Sequence, residues 1–222
     1  EDYRPVIGDE QAEEIYRLAE PLKGAKVLHI NATAFGGGVA ELLGSIVPLT
    51  NDVGLSAQWQ IIQGADEFFK VTKALHNSLQ GMHIEWTPEM WDTWRHYNLL
   101  NTEQYEDQYD FVVVHDPQPA GLLHYLRGNG LRESKTRWIW RCHIDSTDSQ
   151  PEAWAFLRPY LEHYDAAIFT LRQFVKRDLE HPQVWVVPPA IDPLSPKNVV
   201  LPTGTIQDVL TRFHVDPERP MI

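Results

Sequence analysis

Two pairs of histidine and aspartate have the residue types and the spacing for chemistry. His115 and Asp116 follow the apolar run 111–114, and His143 closes a second apolar segment two residues before Asp145. An imidazole can donate or accept a proton near neutral pH and is also a common metal ligand. If the two segments are neighbouring parallel strands, their carboxyl ends meet at one edge of a sheet and both histidines face the same crevice.

A metal-dependent hydrolase is one interpretation of these four residues. His-Asp and His-x-Asp spacings are weak metal signatures when no third strong ligand accompanies them, so we expect no metal at this site. Cys142 is a weaker candidate nucleophile. Alternation along the strand places it on the face opposite His143, where a cysteine packs into the core.

Arg141 lies two residues before His143 and therefore on the same face of the strand. An arginine inside an apolar strand needs an anionic partner to offset the loss of hydration. The carboxylate of Asp116 and a phosphate group of a ligand are the two candidates, and the sequence leaves both open.

A glycine loop separates the apolar segment Lys26–Asn31 from a predicted helix and contains Gly36, Gly37 and Gly38. Glycines at this place let a ligand approach backbone N–H groups at a helix N-terminus. The pattern is neither G-x-G-x-x-G followed by an acidic residue after the second strand, which ends in Gln63, nor a P-loop with Gly-Lys-Ser/Thr. Two interpretations of the loop remain open. It is either a tight turn that binds no ligand, or a loop whose backbone N–H groups bind a sugar or phosphate.

Alternating strand and helix patterns position these residues. The predicted strands are 26–31, 57–63, 109–115, 137–143, 165–170 and 183–187. The predicted helices are 9–18, 38–52, 66–79, 87–108, 118–126, one that begins at the capping box 149–152, one from the capping box 170–173 to residue 180, and 207–213. This alternation predicts an α/β fold with a doubly wound, mostly parallel, Rossmann-like sheet.

Composition limits the partners of the chain. The 222 residues carry a net charge of -12 without a long basic run, which argues against nucleic acid and anionic membranes as partners. The single cysteine excludes an internal disulfide framework and fits a reducing cytoplasm. The sequence contains no run of about 18 apolar residues, so we predict no membrane span. Small molecules are the expected partners, and Trp86, Trp91 and Trp94 suggest either a sugar platform or helix packing.

Four segments carry a resemblance to a known family: 27–31 with 36–41, 114–119, 140–145 and 187–193. Through them the chain resembles the N-terminal lobe of the retaining GT-B glycosyltransferases of family 4. It is most similar to the glycosyltransferring trehalose synthases of that family. The likeness runs from about residue 26 to the end of the chain.

The resemblance implies transfer of glucose from a nucleotide-diphosphate glucose to an acceptor sugar, glucose, with retention and with trehalose as product. It implies no cofactor besides this donor substrate, a C-terminal donor lobe as partner, a homodimer, and a fragment that is inactive alone. The implied division is an N-terminal arm (1–25), a Rossmann-like acceptor lobe (26–205), and a linker with the truncated start of the donor lobe (206–222), including a strand that begins near residue 219.

The resemblance also implies roles for residues that match the family motifs. Donor phosphate and sugar are expected at the glycine loop: Gly36, Gly37, Gly38 and Val39. The expected catalytic residues are His143, which donates a hydrogen bond as charge develops on the donor glucose, and Arg141. The acceptor is expected at the strand ends: His115, Asp116, Gln118 and Asp145.

Two alternatives remain at this level. One is another family 4 transferase that forms sucrose, a disaccharide phosphate or a polysaccharide. The other is a non-catalytic sugar-binding α/β domain, because a glycine loop and polar strand ends also suit simple binding.

Overall fold

An all-parallel six-stranded sheet runs through the part of the chain that the computed structural model describes, which is residues 1–106, 108–128, 135–180, 183–216 and 219. The strands are β1 (Lys26–Asn31), β2 (Ser56–Ile61), β3 (Phe111–His115), β4 (Arg137–Cys142), β5 (Ala166–Phe169) and β6 (Val184–Val186). The helices are α1 (Arg4–Ala19), α2 (Gly38–Asp52), α3 (Asp66–Leu79), α4 (Pro88–Leu100), α5 (Leu122–Gly128), α6 (Pro151–Leu161) and α7 (Thr203–Arg212). The predicted α/β class and parallel sheet are confirmed.

The strand order β2-β1-β3-β4-β5-β6 reverses direction between β1 and β3. Because parallel crossovers are right-handed, the reversal puts α2 on one face of the sheet and α3 to α6 on the other. In agreement, α2 contacts β1 and β2, whereas α3 contacts α4 and α6. The sheet is therefore doubly wound, and the reversal creates a crevice at the carboxyl ends of β1 and β3.

The two faces of the central strands differ in chemistry. Leu28, Ile30, Val112, Val114, Trp140 and Cys142 belong to one apolar cluster with buried residues of α3 to α6. The alternate positions, which include His29, His115 and Arg141, therefore lie on the face of α2. Cys142 is buried in the core, as the alternation predicts.

One predicted helix ends earlier than expected. The helix predicted over 87–108 ends at Leu100 and gives way to a 3-10 turn over Asn101–Gln104. Asn101 clamps the loop after β2, since its side chain accepts from the N–H of Gln63 and donates to its carbonyl (2.6 and 2.7 Å). These two hydrogen bonds hold Asn101 against the loop after β2, at the point where α4 ends.

The prediction of a helix over 170–180 is wrong, because the chain forms only a 3-10 turn over Arg172–Phe174. The hydroxyl of Ser146 donates to the carbonyl of Phe174 at 2.6 Å, and Val175 N–H pairs with Arg172. The carbonyl of Phe174 thus bonds to a distant side chain instead of to the next turn of a helix.

The predicted capping box 149–152 is also wrong. The N-cap of α6 is Gln150 rather than Ser149, and no described side chain caps it. Thr87 does cap α4, whose first residue is Pro88.

The terminal segments have helices of their own. The N-terminal helix is longer than the predicted 9–18, and its backbone kinks at Gly8. The helix α7 begins at Thr203, two residues before the expected lobe boundary at 205. Most of the strand expected near residue 219 lies outside the described residues. Within the described residues, no helix is long and apolar enough to span a membrane.

Gly121 tests how tightly the helical face is packed. A Cβ there would lie 2.7 Å from Trp94 and 3.0 Å from Asn98, both of which are buried. We expect Gly121→Ala to lower the free energy of unfolding by about 1–3 kcal/mol, because overpacking forces neighbours out of place. Denaturant unfolding followed by tryptophan fluorescence measures the change.

The matched control is Gly44→Ala inside α2, where a Cβ would have no neighbour within 4 Å. Alanine is the better helix former by about 1 kcal/mol, so this variant is expected to be more stable than the wild type. Equal stability of the two variants would contradict the packing described for Gly121.

Candidate functional site

A cleft of about 960 Å³ lies at the carboxyl edge of the sheet. Its wall includes Gly38 and Val39 at the start of α2, Asp116 after β3, and His143 after β4. The loop 189–193, which follows β6, closes another side. The structure thus brings the predicted glycine loop and two predicted strand-end residues to one cleft, as expected for this edge of a doubly wound sheet.

Three histidines form a hydrogen-bonded chain across the sheet behind this cleft. Nδ1 of His29 lies 3.0 Å from Nε2 of His115, and Nδ1 of His115 lies 2.9 Å from Nε2 of His143. The rings of His115 and His143 are nearly coplanar, with 16° between their planes and with centroids 5.2 Å apart. His115 and His143 are direct neighbours, as their places at adjacent strand ends predict, but of the two only His143 lines the cleft, and His29 extends the pair to β1.

Strand register places the histidines on a diagonal. His29 is opposite Val113, two residues before His115, and His115 is opposite Arg141, two residues before His143. Each ring therefore reaches toward the carboxyl end of the next strand. The diagonal leads from the buried His29 and His115 to the half-buried His143 at the cleft.

Burial keeps the imidazoles uncharged. Loss of hydration lowers the pKa of His29 and of His143 to about 4. The same cause lowers the pKa of His115 well below its ordinary value, and neighbouring positive charge from the other imidazoles and from Arg141 adds to it. At neutral pH the three rings are therefore neutral hydrogen-bonding groups.

Asp116 holds the turn at which the chain leaves β3. Its φ of 63° is in the left-handed region, which aspartate tolerates better than most residues. Its N–H donates to the carbonyl of Arg141 (2.9 Å), its carbonyl accepts from the indole of Trp140 (2.9 Å), and its Oδ1 accepts the N–H of His143 (2.8 Å). The side chain thereby extends the pairing of β3 with β4 and fixes the backbone of His143. Burial raises the pKa of Asp116 to about 7.

Arg141 is buried beneath the cleft and is not among the residues that line it. Its Nη2 donates to the carbonyl of Val187 at 2.7 Å, which ties β4 to the loop after β6. Its buried Nη1 has no hydrogen-bond partner in the described part of the chain. Asp116, one of the two anionic partners expected from the sequence, accepts no hydrogen bond from Arg141 but is close enough to interact with it electrostatically.

The glycine loop presents an open helix N-terminus to the cleft. Gly37 is the N-cap of α2, and none of the described side chains caps it. Only Gly36 has a left-handed backbone, with φ 82°. A Cβ at Gly37 or Gly38 would meet no protein atom within 4 Å. The fold itself therefore does not require glycine at these two positions, and space for a ligand lies against the backbone.

The other predicted site residues lie away from this cleft wall. The backbone carbonyl of Gln118 accepts from Asn98. Asp145 is exposed and accepts the N–H of Thr147 in a local turn. Trp91 stacks on Trp86 and on Phe156 of α6, which makes the tryptophan stretch a helix-packing cluster.

A metal centre has little support from this geometry. Both ring nitrogens of His115 are engaged by other histidines. Among residues 1–106, 108–128, 135–180, 183–216 and 219, no group of three or more potential ligands is arranged to hold a metal ion.

His29 is the site residue that the sequence analysis missed. The signal was a polar side chain at a position that alternates with the buried apolar Leu28 and Ile30 of β1. Its partner is 86 residues away, and only the strand order brings the two together.

Comparison with known proteins gives one consistent result. The family model for the N-terminal domain of trehalose synthase matches residues 29–176. Trehalose synthase of Thermococcus litoralis is 48% identical over 224 residues, covering 100% of this chain and 53% of that protein. Trehalose synthase of Rubrobacter xylanophilus is 45% identical with the same coverage. The chain thus spans about half the length of these curated relatives.

A solved structure shares the fold. Trehalose-6-phosphate synthase OtsA superposes with a TM-score of 0.59 at 15% identity, covering 86% of this chain and 55% of that one. At this level of identity the likeness concerns architecture, and it agrees with the parallel sheet described above.

The neutral histidines predict an acid-sensitive fold. Their pKa values are depressed on folding, so the stability they contribute is complete above about pH 6.5 and is lost as the pH falls toward 4. Asp116 acts in the opposite direction, because its raised pKa favours the fold at low pH and this contribution is lost between about pH 4 and 7. Three groups against one leave a net uptake of two protons on unfolding, which corresponds to a loss on the order of 3 kcal/mol per pH unit.

Denaturant unfolding at pH 7, 5.5 and 4.5 tests this balance. His29→Asn should flatten the profile because one titrating group is removed, and Asp116→Asn should steepen it. The exposed His83 provides the control substitution, His83→Asn, whose profile should follow the wild type. Parallel profiles for all four proteins would contradict the assignment.

Proposed function

The chain belongs to the trehalose synthase N-terminal domain family, and on this premise we propose that it is the acceptor lobe of a retaining glycosyltransferase. The reaction moves glucose from a nucleotide-diphosphate glucose to a second glucose and forms trehalose. The observation that carries the proposal is the meeting of His143, Asp116 and the open N-terminus of α2 in one cleft at the topological switch of the sheet.

The first part of the chemistry concerns the leaving diphosphate. The N–H groups in the first turn of α2 point along the helix axis and carry partial positive charge. Gly37 and Gly38 leave space for a phosphate oxygen or sugar hydroxyl to approach this backbone. We assign Gly36, Gly37, Gly38 and Val39 to this contact with the donor.

The second part concerns the reacting sugar. A neutral His143 can donate or accept one hydrogen bond without adding a full charge to the cleft. A hydrogen bond that strengthens as charge develops lowers the barrier of the transfer step. We assign this catalytic contact to His143 and place the acceptor near Asp116.

Arg141 and His115 support the site from behind. Both are buried, Arg141 anchors the loop after β6, and His115 bonds His143. We therefore assign them positioning roles, whereas the resemblance alone pointed to catalysis for Arg141 and acceptor binding for His115. Gln118 and Asp145 are assigned to the outer acceptor side.

The donor needs more positive charge than this lobe offers. The chain has a net charge of -12, and Lys197, which lines the cleft, is already paired with Glu41 at 2.6 Å. We propose that a C-terminal lobe supplies the cations that grip the diphosphate, in keeping with relatives of about twice this length. Residues 1–25 then form an arm, 26–205 the acceptor lobe, and 206–222 the link to the donor lobe, in a protein that forms a dimer.

The full-length protein encoded by the gene should convert nucleotide-diphosphate glucose and glucose to α,α-trehalose. His143→Ala is expected to lower kcat by about 10²–10³-fold, the loss typical of removing one hydrogen-bond donor to the transition state. Product identity is read by NMR of the glycosidic linkage, and rates by nucleotide diphosphate release.

The control is His124→Ala on α5, because His124 is exposed and bonds His163 rather than the cleft histidines. It should keep the wild-type rate. Formation of sucrose, a disaccharide phosphate or a polysaccharide would contradict the assignment of glucose as the acceptor. Sugar binding without any turnover would favour the non-catalytic domain.

Gly37→Ala separates the needs of the fold from those of the ligand. The residue has an extended backbone with φ -155°, and a Cβ there has free space, so stability should fall by no more than about 1 kcal/mol, the loss expected for alanine at an N-cap. The methyl group occupies the approach to the helix N-terminus, and KM for the donor should rise about tenfold or more, equivalent to about 1.4 kcal/mol of binding. Gly44→Ala in the same helix should leave KM unaltered, and an unaltered KM for Gly37→Ala would remove the loop from the donor site.

A further inference from the structure

The hydrogen-bond chain of His29, His115 and His143 contains a constraint on protons. Each of its two bonds joins two ring nitrogens, at 3.0 and 2.9 Å, so each bond holds one proton and one lone pair. A neutral imidazole has one N–H and one lone pair. The middle ring therefore donates to one neighbour and accepts from the other.

Only two arrangements satisfy both bonds with three neutral rings. In the first, His29 donates from Nδ1 to His115, which donates from Nδ1 to His143, and His143 keeps its proton on Nδ1. In the second, His143 donates from Nε2 to His115, which donates from Nε2 to His29, and His29 keeps its proton on Nε2. Any mixed arrangement sets two lone pairs or two N–H groups against each other in a buried site, which is costly.

We propose that His29 and His115 are positioning residues which fix the tautomer of His143, so that all three imidazoles carry their proton on the same ring nitrogen. The Nδ1 of His143 has no hydrogen bond within the described residues, and His143 lines the cleft. In the first arrangement the cleft receives an N–H donor, and in the second it receives a lone pair. His29, on the far side of His115, thereby decides what His143 offers to a ligand.

The surroundings of the chain keep the rings neutral from every side. Arg141 on β4 presents a guanidinium that disfavours a second positive charge at His115 and His143. Asp116 is buried after β3, and burial raises its pKa to about 7, which opposes its ionisation. On α2, Glu41 is exposed and engaged by Lys197. No described carboxylate accepts a hydrogen bond from any of the three rings.

The consequence for catalysis rests on the proposed function. A ligand atom that can only accept, such as a phosphate or ring oxygen, selects the first arrangement at His143. The same selection places the proton on Nδ1 at His115 and His29, whose ring centroids are separated by successive steps of 5.2 and 5.3 Å from His143. In a change from the second arrangement to the first, the proton of each hydrogen bond passes to the neighbouring Nδ1, His143 takes up a proton from solvent at Nδ1, and His29 releases its Nε2 proton to solvent. The lobe thus offers the reacting sugar one defined hydrogen-bond donor that carries no net charge.

Long-range ¹H–¹⁵N spectra of the histidine-labelled protein at pH 7 test the coupling directly, because protonated and unprotonated ring nitrogens resonate in separate ranges. In the wild type we expect all three rings to be Nδ1–H or all three to be Nε2–H. A mixed set, or a positively charged ring among the three, overturns the proposal. This test needs no variant and no sugar.

Two variants then test the influence of His29 on His143. His29→Phe keeps a ring but removes the nitrogen that faces His115, so the ring nitrogen shifts of both His115 and His143 should move. His29→Asn places an amide near the former Nδ1 and should restore the wild-type shifts of His143. The control is His124→Asn, which breaks the exposed pair with His163 and should leave the three rings unchanged. Unchanged His143 shifts in folded His29→Phe overturn the proposal.

Kinetics of the full-length protein supply the functional reading. His29→Phe should lower kcat about tenfold with little change in KM, and His29→Asn should recover most of the loss. Equal kcat for His29→Phe and wild type overturns the positioning role. If the wild type forms no trehalose, the proposed function fails, while the spectra still decide whether the three tautomers are coupled.

Discussion

Ring nitrogens buried at the carboxyl edge of the sheet need partners, and this need organises the site. His29, His115 and His143 come from β1, β3 and β4, and each provides the partner that the next one requires. An unpaired polar group at this depth is costly, so the three strands must keep their register for the bonds to form. The same chain leaves one nitrogen of His143 for the cleft. The position of the His143 ring at the cleft is thus a consequence of strand pairing.

The residues around the histidines stabilise the wall of the cleft. Asp116 uses a left-handed backbone and a buried carboxyl to hold the N–H of His143 after β3 has ended. Arg141 connects the neighbouring strand to the loop after β6 through the carbonyl of Val187. Both side chains therefore form hydrogen bonds with backbone groups. The cleft gains rigid walls, and the charge of Lys197, which lines it, is paired with Glu41.

This division explains why the site favours a two-lobed enzyme. The open N-terminus of α2 and a neutral histidine suit the polar, uncharged surface of a sugar, and they give only partial positive charge to a phosphate. A diphosphate requires stronger cations, which the acidic lobe does not direct at the cleft. In the proposed function, contact with the sugar and binding of the diphosphate are divided between two lobes that face this cleft.

The sequence by itself determined the local elements and the faces of the strands. Period-two alternation identified β1 and separated Cys142 from His143, and the glycine run marked the start of α2. Such signals are local, since they depend on residues within one strand or one turn. For that reason the parallel sheet and the places of His115 and His143 at neighbouring strand ends could be predicted without the structure.

Tertiary structure alone decided the contacts between distant residues. His29 joined the site because β1 pairs with β3, and a ring reaches its partner only along the diagonal set by the register. Arg141 found the carbonyl of Val187, and Ser146 prevented a helix after β5 by binding the carbonyl of Phe174. The sequence names the hydrogen-bonding groups, but which of them meet is fixed by packing, since a buried group accepts whichever partner the fold brings within 3 Å.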